Sequence, residues 1–172
     1  MAITKIFAGA GSGEGKTQGM YRGGLFFRNP GAGEWQAVTN GLPDKVEVRT
    51  IAVSPHDSNV LFAGTQDGPY RSIEGGVHWE KLGFPDKGAV IWTMSVHPTN
   101  PKIVYAGAAP VVVYRSIDGG DNWKRLPTAK CPAHCERGGF DTRTHRITGD
   151  PSRPDDLYGA IRSEEHTSEL QS

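Results

Sequence analysis

Three observations predict an all-β chain built from repeated four-stranded sheets. A string of residues recurs: Gly68-Pro-Tyr-Arg-Ser-Ile-Glu-Gly-Gly-Val-His-Trp79 returns as Val112-Val-Tyr-Arg-Ser-Ile-Asp-Gly-Gly-Asp-Asn-Trp123, so that Tyr70 and Tyr114, like Trp79 and Trp123, stand 44 positions apart. Short apolar runs alternate with Gly, Pro, Asn and Asp clusters, and no window carries an apolar stripe at the helical period. Glycine (23) and proline (12) together make about a fifth of the 172 residues, which is turn-rich yet below the level of a disordered chain. A four-stranded unit of this length has the size of a propeller blade, and propellers close with ~4–8 blades. The expectation is an incomplete β-propeller of about three and a half four-stranded blades.

The units follow in order. The first, about residues 1–44, has a strand at Thr4–Ala8, with Ala8-Gly9 in the place of Ala63-Gly64, and a degenerate copy of the recurring string, Gly24-Leu-Phe-Phe-Arg-Asn-Pro-Gly-Ala-Gly-Glu-Trp35. The second, about 45–87, reads as strands Val48–Ser54, Val60–Thr65, Pro69–Ile73 and His78–Leu82, the last two flanking Glu74-Gly75-Gly76. In the third, about 88–130, Val96-His97-Pro98 matches Val53-Ser54-Pro55 and Tyr105-Ala106-Gly107 matches Phe62-Ala63-Gly64, each 43 positions apart. A fourth opens over 140–161 with Ile147-Thr-Gly-Asp-Pro151 and Leu157-Tyr158-Gly159.

The last eleven residues, Arg162–Ser172, resemble the translation of a sequencing-library adapter, so the expectation is a non-native tail on a domain of residues 1–161. Leaving out Arg162, Glu164, Glu165 and Glu169 turns a balanced charge, 19 basic against 19 acidic residues, into +2. Neither value gives a nucleic-acid footprint. The longest apolar runs, such as Ala108–Val113, fall far short of the ~20 residues of a membrane helix. No long apolar stretch follows Met1, so no signal peptide is read and a cytoplasmic location is expected. Two cysteines cannot build a disulfide framework.

Ser72-Ile-Glu74-Gly-Gly76-Val-His-Trp79 and Ser116-Ile-Asp118-Gly-Gly120-Asp-Asn-Trp123 resemble the Asp-box, S-x-D-x-G-x-x-W, of BNR-repeat propellers. That group includes sialidases, sortilin/Vps10-type domains, photosystem II assembly factors and bacterial BNR-repeat glycosyl hydrolases. Glu74 departs from the motif, and the first copy keeps only Trp35 and its glycines. The resemblance implies a structural box. A short acidic side chain accepts backbone N–H bonds across the turn, Gly76 and Gly120 supply positive φ, and Trp79 and Trp123 cover the hairpin. Ser72, Glu74, Ser116 and Asp118 are accordingly structural rather than catalytic.

In a four-stranded meander the boxes mark one end, the bottom. Two insertions, 10–21 and 127–146, fall at the top and form the expected ligand face, since function tends to sit on loops held by a rigid scaffold. The alignment also places Arg49, Trp92 and His145 in one column at the top of the innermost strands, with Asp141, Arg143 and Arg146 beside His145. Arginine forks suit carboxylates, and a Trp face suits sugar rings or cations. The plainer reading makes Arg49 and His145 solvated rim residues and Trp92 packing, and both readings stay open at this stage.

Other signals point elsewhere. Ala10-Gly-Ser-Gly-Glu-Gly15-Lys16-Thr17 fits a relaxed phosphate-loop pattern, but Gln18-Gly19-Met-Tyr-Arg-Gly23-Gly24 is hostile to the helix that such a loop needs. Phe27-Arg28-Asn29-Pro30 resembles the F/Y-R-I-P motif of sialidases, though Asn29 departs from it and the alignment puts Arg28 at the bottom. Cys131-Pro-Ala-His134-Cys135 reads as free thiols or a small loop disulfide rather than a metal site. The function expected is a non-catalytic binding or scaffold module for a carbohydrate or protein ligand, with no cofactor, metal, nucleotide, nucleic acid or membrane. The alternative is a sialidase-like glycoside hydrolase with its catalytic set mostly in further blades.

Overall fold

A computed structural model of the chain describes residues 5–11, 23–31, 33–127 and 142–162. Among these residues there are thirteen strands and no helix. β1 (Ile6–Ala10), β2 (Gly24–Arg28) and β3 (Gln36–Val38) form a first antiparallel meander. The second sheet runs β4 (Val48–Val53), β5 (Leu61–Thr65), β6 (Gly68–Ser72) and β7 (Glu80–Lys81). The third repeats it with β8 (Val90–Val96), β9 (Val104–Ala109), β10 (Val112–Ser116) and β11 (Trp123–Arg125), and β12 (Arg143–Asp150) pairs with β13 (Arg153–Arg162) in a fourth. All four sheets are open.

Two details differ from the sequence expectation. The first sheet has three strands, because β1 holds the place of β5 and pairs only with β2. The last strand of the second sheet shrinks to Glu80–Lys81 from the expected His78–Leu82. The Trp79 amide is drawn out of the ladder: it donates to the Asn40 carbonyl of the first sheet at 3.0 Å. β13 extends to Arg162, the first residue of the expected tail, and residues 163–172 lie outside the described ones.

The sheets stack face to face, and β5 illustrates why. It is buried at all five positions, because period-2 alternation sends its side chains to both faces. Leu61 and Ala63 join Leu25, Val46, Val48 and Trp79 between the first and second sheets. Phe62 joins Leu82, Ile91, Val104, Ala106 and Tyr114 between the second and third. Each large apolar side chain so buried contributes about 1.5–3 kcal/mol.

The repeated Ala-Gly pair sets how closely the sheets approach. A Cβ on Gly9 would stand 2.7 Å from Val48 Cγ1, one on Gly64 2.7 Å from Ile91 Cγ2, and one on Gly107 2.6 Å from Thr144 Cγ2. In each case the glycine lies on the second-strand position of one unit and the neighbour lies on or beside the first strand of the next. Thr144 Oγ1 donates to the Val112 carbonyl at 3.2 Å, and the Ile147 amide donates to Thr93 Oγ1 at 3.1 Å, tying the fourth sheet to the third. β4, β8 and β12 thereby run side by side along one edge of the stack.

Candidate functional site

Each of these three inner strands carries a β-bulge at the same level. Val48 pairs with Thr65 and Thr50 with Gly64, leaving Arg49 as the extra residue. Ile91 pairs with Ala108 and Thr93 with Gly107, leaving Trp92. Thr144 pairs with Ile161 and Arg146 with Ala160, leaving His145. A bulge re-aims its side chain and interrupts the ladder. The sequence column Arg49, Trp92, His145 is therefore the column of bulged residues, at the end of the stack opposite the serine hairpins.

The side chains then diverge from that simple column. The Arg49 guanidinium carbon lies 4.1 Å from the Trp92 ring centroid and that of Arg143 lies 4.0 Å from it. Both guanidinium groups thus pack against the same indole. Arg49, Trp92 and Arg143 come from the second, third and fourth sheets, so three successive sheets converge on one ring. Cation–π contacts of this kind contribute about 0.5–2 kcal/mol each. Trp92 thus has two cations as partners while still lining the cleft beside it. His145 and Arg146 are exposed and lie along the same cleft.

Glu47, which the sequence reading overlooked, holds the Arg49 end of the stack. Its carboxylate accepts from Arg49 Nη2 at 2.7 Å, and both side chains are largely buried. The Glu47 amide donates to Gln66 Oε1 at 2.7 Å, while Gln66 Nε2 donates to the Lys45 carbonyl at 2.8 Å. The signal was an acid two residues before the column Arg, directly ahead of β4. Among the described residues, the buried Arg49 Nε and Trp92 Nε1 donors have no acceptor.

A cleft of about 590 Å³ opens beside the stack, lined by Arg49, Trp92, Ser95, His145, Arg146 and Thr148 among others. Its lining has cations and hydroxyl groups, with Glu47 already engaged by Arg49. The arrangement can offer hydrogen-bond donors and positive charge to an incoming anion. Nearby, buried tyrosines repeat with acidic partners. Tyr70 donates to Asp67 Oδ2 at 3.2 Å, and Tyr114 donates to Asp86. Burial first, then the adjacent carboxylate, pushes each phenol up to about 12, so both stay protonated at neutral pH.

The opposite end is held by the two serine hairpins. Ser72 Oγ accepts from the Glu74 and Gly76 amides at 3.3 and 2.9 Å, and Ser116 Oγ accepts from the Asp118 and Gly120 amides at 3.3 and 2.8 Å. Gly76 and Gly120 have φ of 82° and 105°, left-handed backbone that a side chain would strain. Trp79 Nε1 donates to the Gly76 carbonyl at 3.1 Å and Trp123 Nε1 to that of Gly120 at 2.8 Å. Among the described residues, only the third-sheet copy uses its acid: Asp118 accepts from the Asn122 amide at 2.9 Å, from Asn122 Nδ2 at 2.8 Å and from Ser116 Oγ at 2.7 Å. Arg28 sits 5.1 Å from the Trp35 ring at the matching turn of the first sheet. Asp141, Cys131, His134, Cys135, residues 12–17 of the glycine-rich string and loop residues 12–21 and 128–141 lie outside the described residues.

No protein-family model and no curated protein matches the chain. Solved structures do. An ancestral GH74 enzyme is 20% identical, with 79% of this chain and 18% of that chain covered, at a TM-score of 0.63. The GH74 xyloglucanase from Xanthomonas campestris is 14% identical, with 81% and 22% covered and a TM-score of 0.59. YCF48 from Cyanidioschyzon merolae is 14% identical, with 81% and 42% covered and a TM-score of 0.57. These neighbours are β-propeller-type folds, and at such identities the likeness shows the fold alone. The class that fold and comparison define is an all-β chain of propeller type, spanning from under a fifth to about two fifths of the length of these three neighbours.

Proposed function

We propose that the chain is part of a BNR-repeat propeller whose inner-strand cleft binds an anionic group on a protein or carbohydrate ligand without transforming it. The observation that carries this reading is the Arg49–Trp92–Arg143 stack on bulged and strand-opening positions beside an open cleft. Held on the indole and by Glu47, Arg49 has little freedom left to lose, and with the exposed Arg146 along the same cleft it presents positive charge to a carboxylate or similar anion. The Asp-box role of the hairpins is part of the same proposal: they hold the bottom of each sheet so that the first strands stay in register at the top.

A glutamate-rich peptide tests the reading. Titrated into the protein at low salt and followed by arginine side-chain NMR, it should shift the Nε–H signals of Arg49 and Arg146, and Trp92→Leu should weaken binding about tenfold. Unmoved arginine signals at millimolar peptide would overturn it.

A second reading, hydrolysis of a glycoside, is favoured by the GH74 neighbours. A sialidase-type mechanism needs a Tyr nucleophile paired with Glu. Tyr70 and Tyr114 are poorly suited to that role, since burial and an adjacent carboxylate keep them protonated. Release of fluorophore from a fluorogenic sialoside or of reducing ends from xyloglucan, lost on Arg49→Ala, would establish this alternative.

A further inference from the structure

The two interfaces between complete serine hairpins and the preceding sheet share a device. Lys5 Nζ donates to the Gly75 carbonyl at 3.4 Å, and Arg71 Nη1 donates to the Gly119 carbonyl at 2.9 Å. In both, a cation of one sheet caps the first glycine carbonyl of the next sheet's hairpin. Arg71 adds charge recognition, with Nη1 2.8 Å from Asp121 Oδ1 and Nη2 2.6 Å from Glu80 Oε1. An apolar contact completes the seat: a Cβ on Gly120 would stand 2.9 Å from Leu82 Cδ1, and one on Gly76 2.6 Å from Phe7 Cζ.

The third sheet presents the same face again. Arg115 follows Tyr114 as Arg71 follows Tyr70, and Leu126 donates its amide to the Val113 carbonyl as Leu82 donates to that of Pro69. Here the seat is open. Arg115 is exposed and, among the described residues, has no ion-pair partner, and Leu126 is only half-buried where Leu82 is buried. A groove of about 980 Å³ runs over Arg115, Ile117, Trp123, Lys124, Arg125 and Leu126, apolar in its floor and basic at its rim.

We infer that this face of the third sheet is a docking seat for a glycine-glycine hairpin carrying an acidic side chain at the position of Asp121, the hairpin type that the chain's own repeats carry. The interface with Arg71 supplies the template. The Arg115 guanidinium caps the first glycine carbonyl and pairs with the acid, while Leu126 receives the second glycine. Basic groups at Lys124 and Arg125 reinforce the preference for an acidic occupant.

A synthetic cyclised hairpin with the sequence Ser-Ile-Asp-Gly-Gly-Asp-Asn-Trp tests this against the full chain. Titrated into isotope-labelled protein, it should shift the resonances of Arg115, Ile117 and Leu126. Arg115→Glu should weaken it about tenfold, and Arg115→Lys should weaken it much less. A peptide with Lys in place of its second Asp should bind Arg115→Glu better than it binds the parent protein. No binding at millimolar peptide, or equal binding to Arg115→Glu, would overturn the inference.

Discussion

The hairpins Ser72–Trp79 and Ser116–Trp123 differ by a single methylene at their acidic position, and that difference separates what builds the turn from what decorates it. Both use serine Oγ as the acceptor for two amides, two glycines with positive φ, and an indole N–H on the second glycine carbonyl. The Asp118 carboxylate adds three bonds across the turn, whereas Glu74 points into solvent. Asn122 supplies two of those three bonds, and His78 stands in its place in the other hairpin. The motif's geometry therefore resides in serine, glycine and tryptophan, and the acid supplements it. The sequence expectation that the acid bridges each turn holds for Asp118 and not for Glu74.

The comparison is broken hardest through the indoles. Trp79 is 1% exposed and packs between the first and second sheets, while Trp123 is half-buried against Phe84. Trp79→Ala should cost about 3–5 kcal/mol and Trp123→Ala roughly half that, read from urea unfolding midpoints. Equal losses would show that the two sheets are packed alike. Next come the serines: Ser72→Ala and Ser116→Ala should each cost about 1–3 kcal/mol, because each strands two hairpin amides. A large disparity between them would return the acid to the leading role.

Exchanging the acids sharpens the contrast. Glu74→Asp should raise the urea midpoint slightly and Asp118→Glu should lower it slightly, in the same assay. The smallest effect is in pH. The Asn122 amide and side chain, then Ser116, hold the Asp118 carboxyl down at about 2 from 3.8. A depressed carboxyl stabilises fully above its unfolded value and loses that contribution as pH falls toward 2. The protection factor of the Asn122 amide, with its intrinsic exchange rate divided out, should fall over that window and stay level there in Asp118→Asn.

The repeat was legible because the hairpin demands residue types that few other settings require together. The Ala-Gly pair was visible as a repeat too, but its reason was not, since Gly64 is required by Ile91 of the next sheet and that closeness is a long-range fact. At the site, the alignment found the bulged column Arg49, Trp92 and His145 without revealing the bulges. A bulge shifts register by one residue and flips what faces the neighbouring strand. Arg143, two positions before His145, is thereby the residue that reaches Trp92, while His145 faces solvent.

That three successive sheets meet at one indole is best examined by the ring current of Trp92. The Hδ protons of both Arg49 and Arg143 should resonate well upfield of ordinary arginine values and return together in Trp92→Leu. An upfield shift in one arginine only, or in neither, would contradict the stacking of these sheets and the site built on it.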